Sequence, residues 1–346
     1  MRDGVPDASD ALRAHGGADA RGAARWDFST CANAAGPCPT ALAAVQSADA
    51  TRYPDPASTA LRRALAALHD VPPARVLIAV SASEFIQRVT AVTARIRPGA
   101  VRVPRLAYGD YAHAARAWGR ALHLDASAPD AAVTLAWHAD PTSPLGENAA
   151  AAATPAPHPA VLDAVYAPLR LHGASAWTEA AKDAVFVLHS PNKALGLTGV
   201  RGAYAIAPAR AAYDAQACCA ALEAAAPSWP LSAQGEAMLL AWTTPEVQRW
   251  VQDSHAPLAA WKQSLQEGLR ARGFRLWPSA TNFFVAQPPR PLELQQLRAE
   301  GIALRDAASF GLAGQWRVSA QPPAAQAALW AALDRRLAPA TKGGAP

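Results

Sequence analysis

Residues 190–201 read SPNKALGLTGVR and lie between two apolar runs, 185–188 and 203–207, each the length of a buried strand. The stretch holds Lys193, one of four lysines in the chain. A lysine that leaves a buried strand for a glycine-interrupted turn is partly desolvated, which lowers its amine pKa and makes a Schiff base feasible near neutral pH. Lys193 is therefore a candidate nucleophile. Ser190 precedes it and Arg201 follows it on the same turn, so a hydroxyl and a guanidinium can converge on one phosphate, the guanidinium as a bidentate donor. Taken alone, S-x-x-K also describes a surface loop with an incidental lysine.

The full stretch resembles the pyridoxal-phosphate lysine segment of the class I/II aminotransferase family, in which S-x-x-K is followed by G-L-x-G-x-R and a short strand. Gly196, Leu197, Gly199 and Arg201 match. The resemblance implies that Lys193 carries pyridoxal 5'-phosphate, with Ser190 and Arg201 at its phosphate. It also implies fold type I of the PLP-dependent transferases, an α/β fold with a large, mainly parallel sheet flanked by helices and a smaller α+β domain. The pattern of the chain agrees, because the strands before Lys193 alternate with helices over about 30–40 residues each. The expected organisation is an N-terminal arm (1–40) joining the small domain, a large cofactor-binding domain (41–244) and a small C-terminal domain (245–346).

At 346 residues the chain exceeds the size at which one core keeps growing, so one large and one smaller domain is the natural division. With 51% hydrophobic and 17% charged residues it reads as an ordinary soluble globular protein. The opening MRDGVPDASDALRAHGG lacks the apolar stretch of a signal peptide, and no window has the unbroken apolar length of a membrane span, so the expected location is the cytoplasm. Cys31, Cys38, Cys218 and Cys219 include no C-x-x-C pair and no zinc-like spacing, so no metal is expected. The net charge of +5 comes from dispersed arginines rather than a basic stripe, which argues against nucleic acid and suits small anionic ligands.

Taken in order, residues 1–25 read as a loose arm, and WDFSTCANAAGPCP then passes from a short strand into a Gly/Pro turn. The pairing of HGG with DFS resembles the opening of threonine-phosphate decarboxylases and the related histidinol-phosphate aminotransferases. His15, Gly16, Gly17, Asp27, Phe28, Ser29, Asn33, Gly36 and Pro37 match, while Cys31 and Ala34 replace an Asn and a Pro. His15 and Asn33 thereby become candidate substrate contacts. Tyr53 stands in a YPD turn like the one whose tyrosine, in the family, reaches the cofactor phosphate of the partner subunit, which implies a homodimer. A strand at 76–80 runs into SASE and an amphipathic helix, and that junction offers unpaired amides and a positive dipole end to an anion. Ser83 with Gln87 also reads as a helix cap. Ala82, Ser83 and Glu84 resemble the family's phosphate loop.

Tyr108 and Tyr111 open the next helix, and Tyr108 matches the aromatic that stacks on the cofactor ring in the family. At HADPTSPLG the family carries N-P-x-G, so Ser143 replaces the Asn that donates to the ring oxygen; a hydroxyl also donates, over a shorter reach. Residues 149–160 are low in complexity and read as a connection. The strand 161–166 ends in Asp163 and Tyr166, resembling D-E-A-Y: Asp163 would keep the ring nitrogen protonated and Tyr166 would bond the ring oxygen. A long amphipathic helix is predicted from Pro245 to Gly273, kinked at Pro257. Beyond it, Arg305 and Arg317 fall on neighbouring strands, and the resemblance assigns both to an anionic amino-acid substrate. The opening arm and LRDAASFGL (304–312) look most like threonine-phosphate decarboxylases of cobalamin synthesis. An aminotransferase of the histidinol-phosphate type is the alternative, and a catalytically inactive dimer serving as a binding module is a third reading.

Overall fold

The computed structural model describes residues 15–124, 132–150 and 156–338. The first dozen residues of the arm and the middle of the low-complexity connection, 151–155, lie outside the described residues. The strands in chain order are β1 (Trp26–Asp27), β2 (Val76–Ala79), β3 (Ala100–Val103), β4 (Leu122–Leu124), β5 (Val133–Ala139), β6 (Ala160–Asp163), β7 (Phe186–His189), β8 (Ala203–Ile206), β9 (Arg275–Leu276), β10 (Phe283–Gln287), β11 (Ile302–Ala303), β12 (Arg305–Asp306) and β13 (Trp316–Ser319).

Seven of them form one sheet in the order β2-β8-β7-β6-β5-β3-β4, in which β8 alone runs antiparallel to its neighbours. Period-two alternation divides each strand between two buried layers. Val76 and Ile78 face one layer, and Leu77 and Ala79 the other. The first layer is covered by α1 (Pro39–Gln46) and α2 (Thr59–His69), and the second by α3 (Ala82–Ile96) and α4 (Gly109–Ala117). On α3 the residues Phe85, Ile86, Val89 and Val92 make one buried stripe, and full burial of each is worth roughly 1.5–3 kcal/mol. After the short α5 (Glu179–Lys182), α6 (Ala215–Ala224) joins the second layer and α7 (Ala233–Trp242) the first. The mainly parallel sheet with helices on both faces is the architecture expected from the sequence.

The predicted long helix after Pro245 is two helices, α8 (Pro245–Asp253) and α9 (His255–Arg270), which meet at the buried Ser254. Pro257 lies in the first turn of α9, where its missing N–H has no intrahelical partner to lose, so it bends nothing. A four-stranded antiparallel sheet, β12-β13-β10-β9, follows together with α10 (Leu294–Ala299) and α11 (Pro323–Leu337). Leu265, Leu269, Phe284, Val318, Leu329 and Leu333 form its core, and Phe28 enters that core from the N-terminal segment. The segment is fixed there because β1 pairs in parallel with β11, Trp26 against Ile302 and Asp27 against Ala303.

Two local readings are corrected. The cap of α3 is Ser81, whose hydroxyl accepts from the Glu84 amide, and not Ser83. Glu84 reaches back to accept from the Val80 amide at 3.2 Å, a reciprocal pair that satisfies two amides at once. Strand β6 ends at Asp163, and Tyr166 starts a 3-10 turn (Ala167–Leu169) instead of extending the strand.

Candidate active site

The chain changes direction at the carboxyl ends of β2, β3, β5, β6 and β7, where an open α/β sheet leaves a crevice. A cavity of about 200 Å³ there is lined by His15, Ala82, Ser83, Tyr108, Ser143, Asp163, Tyr166, Ser190, Lys193, Arg201, Arg305 and Arg317, among others. Twelve of the residues singled out in the sequence therefore share one space.

Lys193 is placed by the turn that follows β7. Its carbonyl accepts from the Asn33 amide at 2.9 Å, and the Leu195 carbonyl accepts from the Cys38 amide at 2.8 Å, tying the turn to the N-terminal segment. Gly196 sits at φ +66 with its missing Cβ facing Pro37 at 3.1 Å, so both handedness and space require glycine. The side chain of Asn192 spans the loop, accepting from Ser190 Oγ at 3.2 Å and donating to the Thr198 carbonyl at 3.4 Å. Burial lowers the pKa of Lys193, and Arg317 and Arg201 lower it further against the opposing pull of Asp163. Its amine lies 5.4 Å from the centre of the Tyr166 ring.

Asp163 stands at the end of the neighbouring strand. Its Oδ1 accepts from the Val165 amide at 3.0 Å, and its Oδ2 accepts from the Tyr111 hydroxyl at 2.5 Å. Burial raises the pKa of the carboxyl, while the Tyr111 and Val165 hydrogen bonds and the Lys193 charge hold it down. Tyr111 is fully buried, stacked on Trp137 with ring centroids 4.3 Å apart and planes at 8°. The sequence motifs give Tyr111 no role at the site, although its three-residue spacing from Tyr108 puts both phenols at one helix start.

At the start of α3, Ala82 and Ser83 occupy the first two helical positions, whose amides have no acceptor within the helix. Ser83 Oγ is 3.4 Å from the Tyr108 hydroxyl. Glu84 does not join them, because its carboxylate is paired with Arg88 Nε at 2.8 Å. Arg201 is exposed at the rim and Ser190 is buried below it.

The opposite wall is cationic. Arg305 and Arg317 are direct partners across β12 and β13, and both guanidinium groups lie on the Phe310 ring, at 5.0 and 5.3 Å. Burial and the neighbouring Arg317 bring the pKa of Arg305 down to about 10. Arg317 donates to Ser143 Oγ at 3.2 Å and to the Ser29 carbonyl at 3.4 Å, and its buried Nε has no partner among the described residues. Ser143 is thus engaged with the arginine that borders it. Asn33 does not line the cavity: its amide donates to the Ala194 carbonyl at 3.0 Å and Ser254 Oγ at 2.8 Å, a structural role for the lysine turn. Tyr53 also lies outside the cavity, 77% exposed and stacked on Trp229 at 4.6 Å.

The model of the family described as aminotransferase class I and II matches residues 27–333. Histidinol-phosphate aminotransferase 2 of Rhizobium meliloti (strain 1021) is 28% identical over 327 residues, covering 87% of this chain and 90% of that protein. Among solved structures, the histidinol-phosphate aminotransferase of Sinorhizobium meliloti in complex with pyridoxal-5'-phosphate superposes with a TM-score of 0.71 at 22% identity, covering 89% of each chain. The L-threonine-O-3-phosphate decarboxylase of Porphyromonas gingivalis superposes with a TM-score of 0.64 at 19% identity, covering 86% of this chain and 92% of that one. At those identities the two structures share the fold.

Proposed function

The chain belongs to the class I and II aminotransferase family, and from that premise we propose that it decarboxylates a phosphorylated amino acid, L-threonine O-3-phosphate. Its cofactor is pyridoxal 5'-phosphate, which when bound supplies an electron sink for the pair released at Cα. The cavity fits that group: it presents an amine with a depressed pKa at Lys193, a buried carboxylate at Asp163 and unpaired helix-start amides at Ala82 and Ser83. Lys193 would hold the cofactor covalently, and Asp163 would partner its ring nitrogen. Tyr166 and Ser143 would serve the ring oxygen, and Tyr108 would lie on the ring. Ala82, Ser83, Ser190 and Arg201 would surround the phosphate.

The observation that carries the substrate reading is the register of Arg305 against Arg317, with His15 on the same cavity. Two guanidinium groups and an imidazole brought to one wall form a single strong anion centre, suited to one phosphate dianion. A phosphate held there would leave the α-carboxylate without its own guanidinium and free to turn into the orientation in which its bond to Cα can break. The bond to be broken is the one from Cα to the carboxylate, and Lys193, as its ammonium, would supply to Cα the proton that takes the place of the departing carbon dioxide.

Histidinol phosphate would fill the same centre with its one phosphate, and the named relative from Rhizobium meliloti supports that second reading. The test is to give the holoenzyme L-threonine O-3-phosphate and measure carbon dioxide, then histidinol phosphate with 2-oxoglutarate and measure glutamate. Carbon dioxide from the first is expected, and glutamate without carbon dioxide would overturn the decarboxylase. The gathering of Lys193, Asp163 and Tyr166 in one cavity speaks against an inactive binding module. A visible or near-ultraviolet band that borohydride traps in the wild type and that Lys193→Ala lacks is the corresponding check. The proposed protein is a homodimer with the arm, large and small domains at 1–40, 41–244 and 245–346. Among the described residues no helix is long and apolar enough to cross a membrane.

A further inference from the structure

His15 reaches the cavity because the arm can lie flat against residue 29. A Cβ on Gly16 would stand 2.3 Å from the Ser29 carbonyl oxygen, so no other residue fits without moving backbone. Gly17 has φ +104, and its amide donates to Ser29 Oγ at 2.8 Å. The two glycines thus set the path of the arm and deliver one imidazole to its inner edge. His15 borders the cavity that holds Lys193, and also an adjoining cavity of about 460 Å³ between the arm and the small domain. His15, Gly16 and Arg305 are common to both linings and form the partition.

The arm leaves the imidazole itself unfixed, since the His15 side chain is 45% exposed. The group that meets it is Asp110, in the first turn of α4, with Oδ1 at 3.4 Å from His15 Nε2. Asp110 is only 8% exposed, and the Ser83 and Tyr108 hydroxyls beside it help to hold its carboxyl in the charged form against burial. The carboxylate is therefore buried on its own helix and presents Oδ1 to the arm. His15 additionally lies against the Tyr108 ring, centroids 5.6 Å apart.

We propose that Asp110 is a positioning residue that acts through His15: it latches the arm over the partition and aims the imidazole at the substrate anion held by Arg305 and Arg317. When protonated, the imidazole donates from Nε2 to Asp110 and from Nδ1 to that anion, so the carboxylate serves binding without touching substrate. The identity of the anion rests on the phosphorylated-substrate reading above, whereas the latch itself does not.

Two measurements separate the two. Hydrogen–deuterium exchange of the 15–18 segment needs no substrate. In Asp110→Asn it should quicken about tenfold at the Gly17 amide while α3 stays protected, because losing a charge-assisted contact shifts a local opening equilibrium by about that factor. Kinetics on Asp110→Asn, His15→Asn and the double variant, with whichever phosphorylated compound the wild type turns over, should show KM raised about tenfold in each single variant. The double should be no worse than the worse single, since both remove one interaction. Asp110→Glu should restore part of the KM. Unchanged exchange in an Asp110→Asn protein that still binds cofactor would overturn the latch, as would single effects that multiply in the double variant. If the wild type turns over neither phosphorylated compound, the substrate reading fails while the exchange result still decides the latch.

Discussion

At Asp163 two oxygens face two donors, and the outcome is a carboxylate whose charge is contested. Burial favours the neutral acid, and the Tyr111 hydroxyl opposes it by stabilising the anion. Removing that hydroxyl should let the Asp163 pKa climb further and weaken its hold on the ring nitrogen. Tyr111→Phe keeps the stack on Trp137, so the fold should survive while turnover falls roughly 10- to 100-fold, the range of one charge-assisted hydrogen bond. A pH titration of the bound cofactor's absorbance, displaced relative to wild type, would trace the loss to Asp163. Asp163→Asn removes the charge outright, so its turnover should fall by orders of magnitude with little change in denaturation midpoint. Near-normal turnover in that variant would mean that another group serves the ring. The placing of Asp163 on one cavity with Lys193 was legible in the chain because D-x-x-Y stands before the lysine turn at the family's spacing. The Tyr111 contact was not legible, because it joins residues separated by two strands and a loop, and only the sheet order brings them together.

At the scale of elements, the far side of the same sheet carries a neutral histidine cluster that links α2 to β7 and β8. Trp242 can only donate, so the Tyr204 hydroxyl accepts from its Nε1 at 3.0 Å, and the same hydroxyl shares a hydrogen bond with His69 Nε2 at 2.8 Å. Burial lowers the pKa of His69 to about 4 and that of His138 on β5 to about 4, and holds His189 well below the ordinary imidazole range. Between the ordinary value of 6.5 and about 4 the unfolded chain binds protons that the native state refuses. Stability present at neutral pH is therefore lost as pH falls through that window. Urea midpoints measured from pH 7 to 4 should drop steeply in the wild type and less steeply in His69→Gln, which cannot take up the proton. Equal slopes would show that His69 is not a source of the acid sensitivity.

Element types were readable where a local rule acts alone, as with the apolar stripe of α3 or the short apolar run of β2. They were misread where a local pattern continues through a tertiary break. The apolar spacing runs on from α8 into α9, but Ser254 is buried and receives the Asn33 side chain, so packing against the N-terminal segment sets the break. Likewise Ser81 and Ser83 are equal candidates for a cap by composition, and the backbone path out of β2 chooses Ser81.

For the molecule as a whole, two residues that the sequence pattern assigns to the cofactor phosphate face solvent. Arg201 is exposed at the cavity edge, and Tyr53, which the sequence pattern assigns to a cofactor phosphate, lies outside the cavity with most of its ring in solvent. Tyr53 rests on Trp229, itself 48% exposed, so two large aromatic faces share one patch that a monomer would leave wet. If the partner's copy of this patch completes the site, each active site takes its lysine from one subunit and its tyrosine from the other. Tyr53→Ala homodimers should then bind pyridoxal phosphate more weakly, by roughly tenfold for one lost phosphate hydrogen bond, and Lys193→Ala homodimers should be inactive. Co-expressing the two variants with different tags and isolating the mixed dimer gives a decisive comparison. If the sites are shared, one of them carries both lesions, while the other pairs an intact Lys193 with an intact Tyr53. Under shared-site assembly the mixed dimer recovers wild-type cofactor affinity at one site per dimer and about half the wild-type turnover. Under self-contained sites, the subunit that retains Lys193 still lacks Tyr53, and its affinity stays at the level of the Tyr53→Ala homodimer. Binding isotherms of the mixed dimer therefore tell the two assemblies apart without reference to which substrate the enzyme consumes.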